Sequence, residues 1–252
     1  MNPLLSIVTV CFNSEKTIGN TIRSVLNQSA KDFEYILIDG LSSDNTIEII
    51  KSFDKEFQNR GIGYSYISER DTGIYDAFNK AIRMANGRWI SFLGSDDCYL
   101  DNAIEIYSKA ILNLEQPIDF IHSNVVINDK RRINVNWSWK KFKVRMHIAH
   151  VGSFHNMRYF AQYGLFDTDY KIVGDYELLL RAGNGLKTFW INTDTVTMGS
   201  EGISNKRIIE VYKETTRAKI KNNSRERWLI FMDYYLWVFK YFTKRVLNVF
   251  IR

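Results

Sequence analysis

Three near-continuous apolar runs in the first hundred residues, each closing on a polar turn, constrain this chain more than any other feature. Leu4 to Cys11, Tyr35 to Ile38 and Arg88 to Leu93 carry apolar residues at consecutive positions, the pattern of strands covered on both faces. Between them the spacing becomes helical. Ile18, Ile22, Val25 and Leu26 follow the capping pair Asn13-Ser14; Ile47, Ile50 and Phe53 follow Ser43-Asp44; Ala77, Phe78, Ala81, Ile82 and Ala85 precede Asn86-Gly87. Gly63 to Ser68 alternates as a further strand. Such βαβα order predicts an α/β fold with a doubly wound, mainly parallel sheet. Ligands in such sheets bind beyond the carboxyl ends of the strands.

Acids stand at that edge. Asp39 closes the second strand, and Gly94-Ser95-Asp96-Asp97 follows the fourth. Adjacent carboxylates at the exit of a buried strand are costly unless a cation or a turn takes them up. Mg²⁺ or Mn²⁺ carrying a diphosphate meets them well, because hard cations take carboxylate and phosphate oxygens together. A turn cap is the competing reading for Asp39 and for the Asp96-Asp97 pair.

The second half is less regular. Asp101 to Leu114 reads as a helix, and Phe120 to Ile127 and Arg132 to Trp137 as strands joined through Asn128-Asp129-Lys130. Val173-Gly174-Asp175-Tyr176-Glu177 opens a helix, Phe189-Trp190-Ile191 a short strand, and two helices are expected near 205–222 and 226–250. At 45% hydrophobic residues the chain has ample core material, which excludes disorder. Its two cysteines, Cys11 and Cys98, sit in or beside apolar strands, and without a CxxC pair neither a disulfide framework nor a zinc site is expected. Met1 to Ile7 lacks the basic start of a secretion signal, and no run of about eighteen apolar residues is present to span a membrane. From Lys206 onward twelve basic residues face four acids, so the net charge of +6 belongs to the tail. The chain therefore divides, by sequence, into a domain over 1–204 and a basic, aromatic helical tail over 205–252.

Four segments resemble the inverting family 2 glycosyltransferases of the GT-A fold, in that family's order. They are Ser6-Ile7-Val8-Thr9-Val10-Cys11-Phe12-Asn13, Ile38-Asp39-Gly40-Leu41-Ser42-Ser43-Asp44-Asn45-Thr46, Asp71-Thr72-Gly73-Ile74-Tyr75-Asp76-Ala77-Phe78-Asn79-Lys80, and Ser95-Asp96-Asp97. The third is similar to a signature of the subgroup that builds bacterial surface polysaccharides. The resemblance implies a UDP-sugar donor held by Val10, Phe12, Asn13, Asp39, Arg70, Lys80 and Asp96. Asp39 would accept from the uracil N3–H, Phe12 would cover the base and Arg70 would pair with phosphate or uridine. Asp96 and Asp97 stand where the family binds ribose and metal (Mn²⁺ or Mg²⁺). Gly94 occupies the place where the first acid of a strict D-x-D often falls, so the division of roles between the two stays open. Asp175 matches the family's general base, with Glu177 one helical turn off as a weaker candidate on the acceptor side. His150 opens a segment, Val151-Gly152-Ser153-Phe154, similar to one lining the acceptor; a hydrogen-bonded structural histidine is the alternative. Met198 to Ser204 is similar to a Gly/Ser lid.

The tail places Trp228, Phe231, Tyr235, Trp237, Phe239 and Phe242 on one helix, with Asp233, Lys240, Lys244 and Asn248 sharing one face and Arg225, Arg227, Arg245 and Arg252 around it. An anionic membrane surface suits that pattern; packing on the domain or in a homodimer is the alternative. A lipid-linked saccharide acceptor, which the resemblance implies, would place the protein on the cytoplasmic side, peripheral on the inner face of a bacterial membrane. Two other functions were weighed. A sugar-1-phosphate nucleotidyltransferase wants a glycine-rich loop after the first strand, where Val10 to Ser14 has none. A nucleic-acid binder would spread its charge over the domain, whereas here it is gathered in the tail, so no nucleic-acid partner is expected.

Overall fold

The computed structural model describes residues 2–127, 131–199, 202 and 206–250, with side chains through Thr243. The turn at Asn128-Asp129-Lys130, most of the expected lid at 200–204, and the side chains of Lys244, Arg245, Asn248 and Arg252 lie outside the described residues. Strands β1 (Leu5–Cys11), β2 (Phe33–Asp39), β3 (Gly63–Ser68) and β4 (Trp89–Gly94) pair in parallel in the order β3-β2-β1-β4. The expected apolar runs are the inner strands: Leu5, Ile7, Val8, Ile36, Leu37, Ile38 and Ile90 are fully buried. Register then fixes the ligand edge. Cys11 pairs with Asp39, Val10 with Gly94, and Asp39 with Ser68, so the last residues of all four strands share one rim.

The sheet continues through β8 (Ser153–Asn156), β6 (Phe120–Ile127), β9 (Thr188–Met198) and β5 (Cys98–Tyr99), while β7 (Arg131–Ile133) pairs on β6. Three expectations change here. The strand expected over Arg132–Trp137 stops at Ile133. The short strand at Phe189–Ile191 runs to Met198, pairing with β6 through register shifts around Asn124. β8 carries no signal: Ser153, Phe154 and His155 are buried by β4 and β6, which flank it in antiparallel pairing, rather than by any pattern of their own.

One face of the sheet is covered by α1 (Ile18–Leu26), α2 (Thr46–Ser52), α3 (Asp54–Arg60) and α5 (Ala103–Leu112). The other carries α4 (Ile74–Met84), α7 (Met157–Tyr163), α8 (Gly174–Leu180) and the tail helix α9 (Ile208–Lys221), whose Ala218 joins the core; the short α6 (Trp139–Phe142) adds Phe142 to the same layer. The last helix, α10 (Arg227–Phe250), packs along α9. Asp233, on the face read as polar, is turned inward. It is bonded to the buried Lys219 (2.7 Å) and to Arg225 (2.7 Å), a pairing that offsets the cost of burying all three charges. Ile230 is buried on the same side, while Trp228, Phe231, Tyr235, Phe239 and Phe242 are exposed. Among the described residues no helix is long and apolar enough to cross a membrane.

Candidate active site

The rim of β1, β2 and β4 opens into a cavity of about 330 Å³ lined by Val10, Phe12, Ser14, Asp71, Ile74 and Ser95. Phe12 stands 62% exposed at its mouth, an unusual position for so large an apolar ring and one suited to covering a planar base. Gly40 is required opposite it: a Cβ there would lie 2.7 Å from Asp71 Oδ2 and 3.4 Å from the Phe12 ring. Asn13 adopts φ 49° and braces the neighbouring turn, its Oδ1 accepting from the Ser43 N–H (2.9 Å) and its own N–H donating to Ser42 Oγ (2.8 Å).

Asp39 is wholly buried. Its carboxylate accepts from the Ser42 N–H (3.0 Å), from Ser68 Oγ (2.6 Å) and from the Ser42 hydroxyl, which is the turn-capping arrangement. Two serine hydroxyls on one carboxylate are exchangeable partners, since a hydroxyl rotates freely to bond elsewhere. Arg70 is exposed on the adjoining loop, where its carbonyl accepts from Lys80 Nζ (2.8 Å), and Lys80 also pairs with Glu69 (2.9 Å). In this arrangement Lys80 holds the Arg70 loop from beneath.

Asp96 is exposed and Asp97 buried at the exit of β4. Asp97 accepts from the N–H of Gly199 (2.9 Å) and of Gly94 (3.1 Å), and Gly199 packs so closely on Asp96 that a Cβ there would collide with its carboxylate. The start of the expected lid therefore rests on the acidic pair. Burial, with the charge of Asp96 added, pushes the Asp97 carboxyl up to about 6 despite those N–H bonds. Among the described residues no three His, Cys, Asp or Glu side chains converge to hold a metal ion. Two adjacent carboxylates, one exposed and one buried with its ionisation opposed, fit a Mg²⁺ or Mn²⁺ that takes its remaining oxygens from phosphate and water; they do not fit a closed protein cage.

A second cavity, about 390 Å³, has Asp175 in its wall together with Arg145, Met146, Val173, Val211 and Trp237. The local sequence explains how Asp175 is held. Gly174 lets the buried Tyr75 ring approach α8, where a Cβ would come within 2.7 Å of it. The Tyr75 hydroxyl then donates to the Ile172 carbonyl (2.8 Å) and reaches Asp175 Oδ1 (3.3 Å). Burial, and next the Asp175 charge, drives the Tyr75 hydroxyl well above its ordinary range, so it stays a donor. From the tail, Glu214 accepts the N–H groups of Lys171 (3.0 Å), Ile172 (3.0 Å) and Val173 (3.1 Å), fixing the strand of chain that delivers Asp175.

Glu177 does not join Asp175. Two residues along the helix its side chain points away; it is fully buried and bonded to Arg181 (2.5 Å), Lys221 (3.1 Å) and Asn222 (3.2 Å). His150 stacks on Phe92 (5.5 Å between centroids) and its Nε2 lies 2.9 Å from Nε2 of His155. Burial lowers its basicity, and the Asp175 charge works the other way. Sequence reasoning passed over Asp71, Tyr75, Arg145, Glu214 and Trp237. Asp71 and Tyr75 lay inside a quoted motif, whereas the other three carry no local signal and become site residues only through tertiary packing.

An α/β sheet with acids at its parallel strand ends fits the GT-A class of glycosyltransferases. A sequence profile of the family described as "Glycosyl transferase family 2" matches residues 6–169, and the chain belongs to that family. Among sequence relatives is a PGL/p-HBAD biosynthesis glycosyltransferase of Mycobacterium bovis, 27% identical over 71% of this chain and 69% of its own. A Bacillus subtilis protein named for teichuronic acid biosynthesis is 35% identical over 41% of this chain and 40% of its own. In structure the chain is similar to S. aureus TarS (TM-score 0.65, 18% identity, 90% of this chain but 41% of TarS). A shorter TarS, solved in complex with UDP-GlcNAc, matches with a TM-score of 0.65 at 17% identity over 90% of this chain and 69% of its own. The mannosyltransferase PcManGT of Pyrobaculum calidifontis, solved with GDP-Man and Mn²⁺, matches with a TM-score of 0.64 at 14% identity over 86% of this chain and 65% of its own. These likenesses establish the fold.

Proposed function

We propose that the protein transfers a hexose from a UDP-sugar, with inversion, to a saccharide carried on a polyprenyl diphosphate, during assembly of a bacterial surface polysaccharide. The observation that carries this reading is the pair of cavities: one lined by Phe12 and by Ile74 and Ala77 of α4, the other walled by Asp175, which the Tyr75 hydroxyl of the same helix reaches. Phe12 covers the uracil, Asp39 exchanges a serine hydroxyl for its N3–H, and Arg70 meets the uridine or phosphate from the loop that Lys80 holds. Val10 and Asn13 shape the floor and rim. Asp96 and Asp97 hold the ribose and a Mn²⁺ or Mg²⁺ ion, which supplies Lewis-acid neutralisation of the departing diphosphate.

Asp175 takes the proton of the acceptor hydroxyl as that oxygen forms its bond to the anomeric carbon. The anomeric C–O bond to UDP breaks on the opposite face, so one displacement inverts the configuration. Tyr75 and Glu214 keep the carboxylate aimed. The names of the relatives, which refer to cell-surface glycans, support the polysaccharide assignment, and the exposed aromatic side of α10 beside a basic tail supports a peripheral position on the inner membrane face. A screen of UDP-hexoses with Mn²⁺ or Mg²⁺, following UDP release with and without lipid-linked acceptor, tests the reading. Metal-dependent release that rises with acceptor is the expected result; no turnover with any UDP-hexose overturns it.

A further inference from the structure

The cavity beside Asp175 is not walled by the family-matched region alone. Arg145 and Met146 lie within the matched residues 6–169 and Val173 and Asp175 just after them, but Val211, Tyr212 and Thr215 come from α9 and Trp237 from α10, far beyond the match. At about 390 Å³ it falls in the ordinary range of ligand sites, roughly 300–1,000 Å³. Away from Asp175 its lining is mostly apolar (Met146, Val211 and Trp237), which suits the lipid side of the acceptor better than its sugar, since each buried sugar hydroxyl needs a partner. Two charged groups break the apolar surface: Asp175, and the exposed Arg145. Trp237 belongs to the same helix whose other side exposes Trp228, Phe231, Tyr235 and Phe239. A single helix thus contributes to the wall of the Asp175 cavity and presents an aromatic stripe outward.

We infer that this cavity binds the isoprenoid-phosphate end of the acceptor's carrier, with Val211 and Trp237 against the first isoprene units and Arg145 on the phosphate. The inference rests on the transferase reading and adds the site of the carrier. An arginine suits a phosphate next to an apolar chain, because its guanidinium is weakly hydrated and pairs bidentately. The geometry also accounts for the tail: α10 borders the cavity on one side, and its aromatic stripe meets the bilayer from which the carrier enters.

The test uses the full chain and farnesyl phosphate below its aggregation concentration as the probe, titrated by calorimetry beside farnesol and inorganic phosphate. Farnesyl phosphate is expected to bind at least tenfold tighter than either. Val211→Asp should weaken it tenfold or more, and Arg145→Gln should weaken farnesyl phosphate but leave farnesol unchanged. Equal binding by wild type and Val211→Asp, or farnesyl phosphate no tighter than inorganic phosphate, overturns the inference. A diazirine-bearing farnesyl phosphate on the unmodified protein gives a second readout that no folding defect can distort. Labelling within 145–146, 172–176, 208–215 or 231–240 supports the site, and labelling elsewhere refutes it. Neither measurement uses the donor, so failure of UDP-sugar turnover with intact farnesyl phosphate binding would sink the donor reading and leave this one standing.

Discussion

The cavity under Phe12 and the cavity beside Asp175 are built on different principles. The first is made by contiguous short segments at the ends of parallel strands, so each of its residues lies within a few positions of an apolar run. The second is assembled from α8, the chain around Arg145 and two helices from the far end of the sequence, separated by up to ninety-two positions between Arg145 and Trp237. A strand-end site is therefore robust to what happens elsewhere, while the acceptor side depends on the tail being docked. The two should respond differently to mutation.

Asp175→Asn makes the sharpest separation. Removing the general base is expected to lower kcat by about a thousandfold or more, with UDP affinity by calorimetry within twofold of wild type. Turnover within tenfold of wild type would show that the two cavities do not divide donor and base between them.

The second prediction concerns acid. All four histidines (His122, His147, His150 and His155) lie within positions 122–155, and burial pushes His122 down to about 4. Because that value lies below the ordinary 6.5, the unfolded chain takes up the proton first. Stability is full above pH 6.5 and drains as pH falls toward 4, at up to roughly 1.4 kcal/mol per unit. Urea melts at pH 7 and pH 5 should show this loss, and His122→Asn should flatten it. An unchanged slope would remove His122 as a source of acid sensitivity.

Glu214→Ala tests whether the tail truly sets the Asp175 geometry. Freed of their shared carboxylate, the N–H groups of 171–173 lose their anchor, and a displacement of about an ångström at Asp175 costs roughly a hundredfold in kcat. Donor affinity should stay put. If kcat holds while α9 remains folded, the tail is a wall of the cavity and not a support for the base.

How much of this was legible follows the same divide. β1, β2 and β4, their rim acids and α4 follow from patterns that strand burial imposes directly: an inner parallel strand has no polar face, so Tyr35-Ile36-Leu37-Ile38 has one reading. The turn residues Asn13 and Gly40 also sit within the motifs. By contrast, Asp233 reads as part of a solvent-facing stripe because periodicity reports a common face and not which way that face turns; buried Lys219, fourteen residues away, decides it. Glu214 looks like any surface acid on a basic helix until α9 docks over 171–173. Glu177 reads as a neighbour of Asp175 because sequence separation ignores the rotation of nearly 200° over two helical residues.

Phe12→Ala is the mildest change and bears most directly on what the strand-end cavity is for. A ring 62% exposed contributes little to the core, so its loss should leave thermal stability close to wild type. If it covers a base, truncation should cost about 1–3 kcal/mol of nucleotide binding, an order of magnitude or more in donor KM. The effect should be equal for UDP and for UDP-sugar, because the ring touches the base and not the hexose. Acceptor KM should not move, since Phe12 is not part of the wall of the Asp175 cavity. A donor KM unchanged by the truncation would leave Phe12 as an apolar side chain held in water without an electrostatic or packing reason. A loss confined to the UDP-sugar would shift the hexose, rather than the uracil, to the ring. Only the pattern of equal loss on both nucleotides, with an unmoved acceptor, keeps base and acceptor in separate cavities.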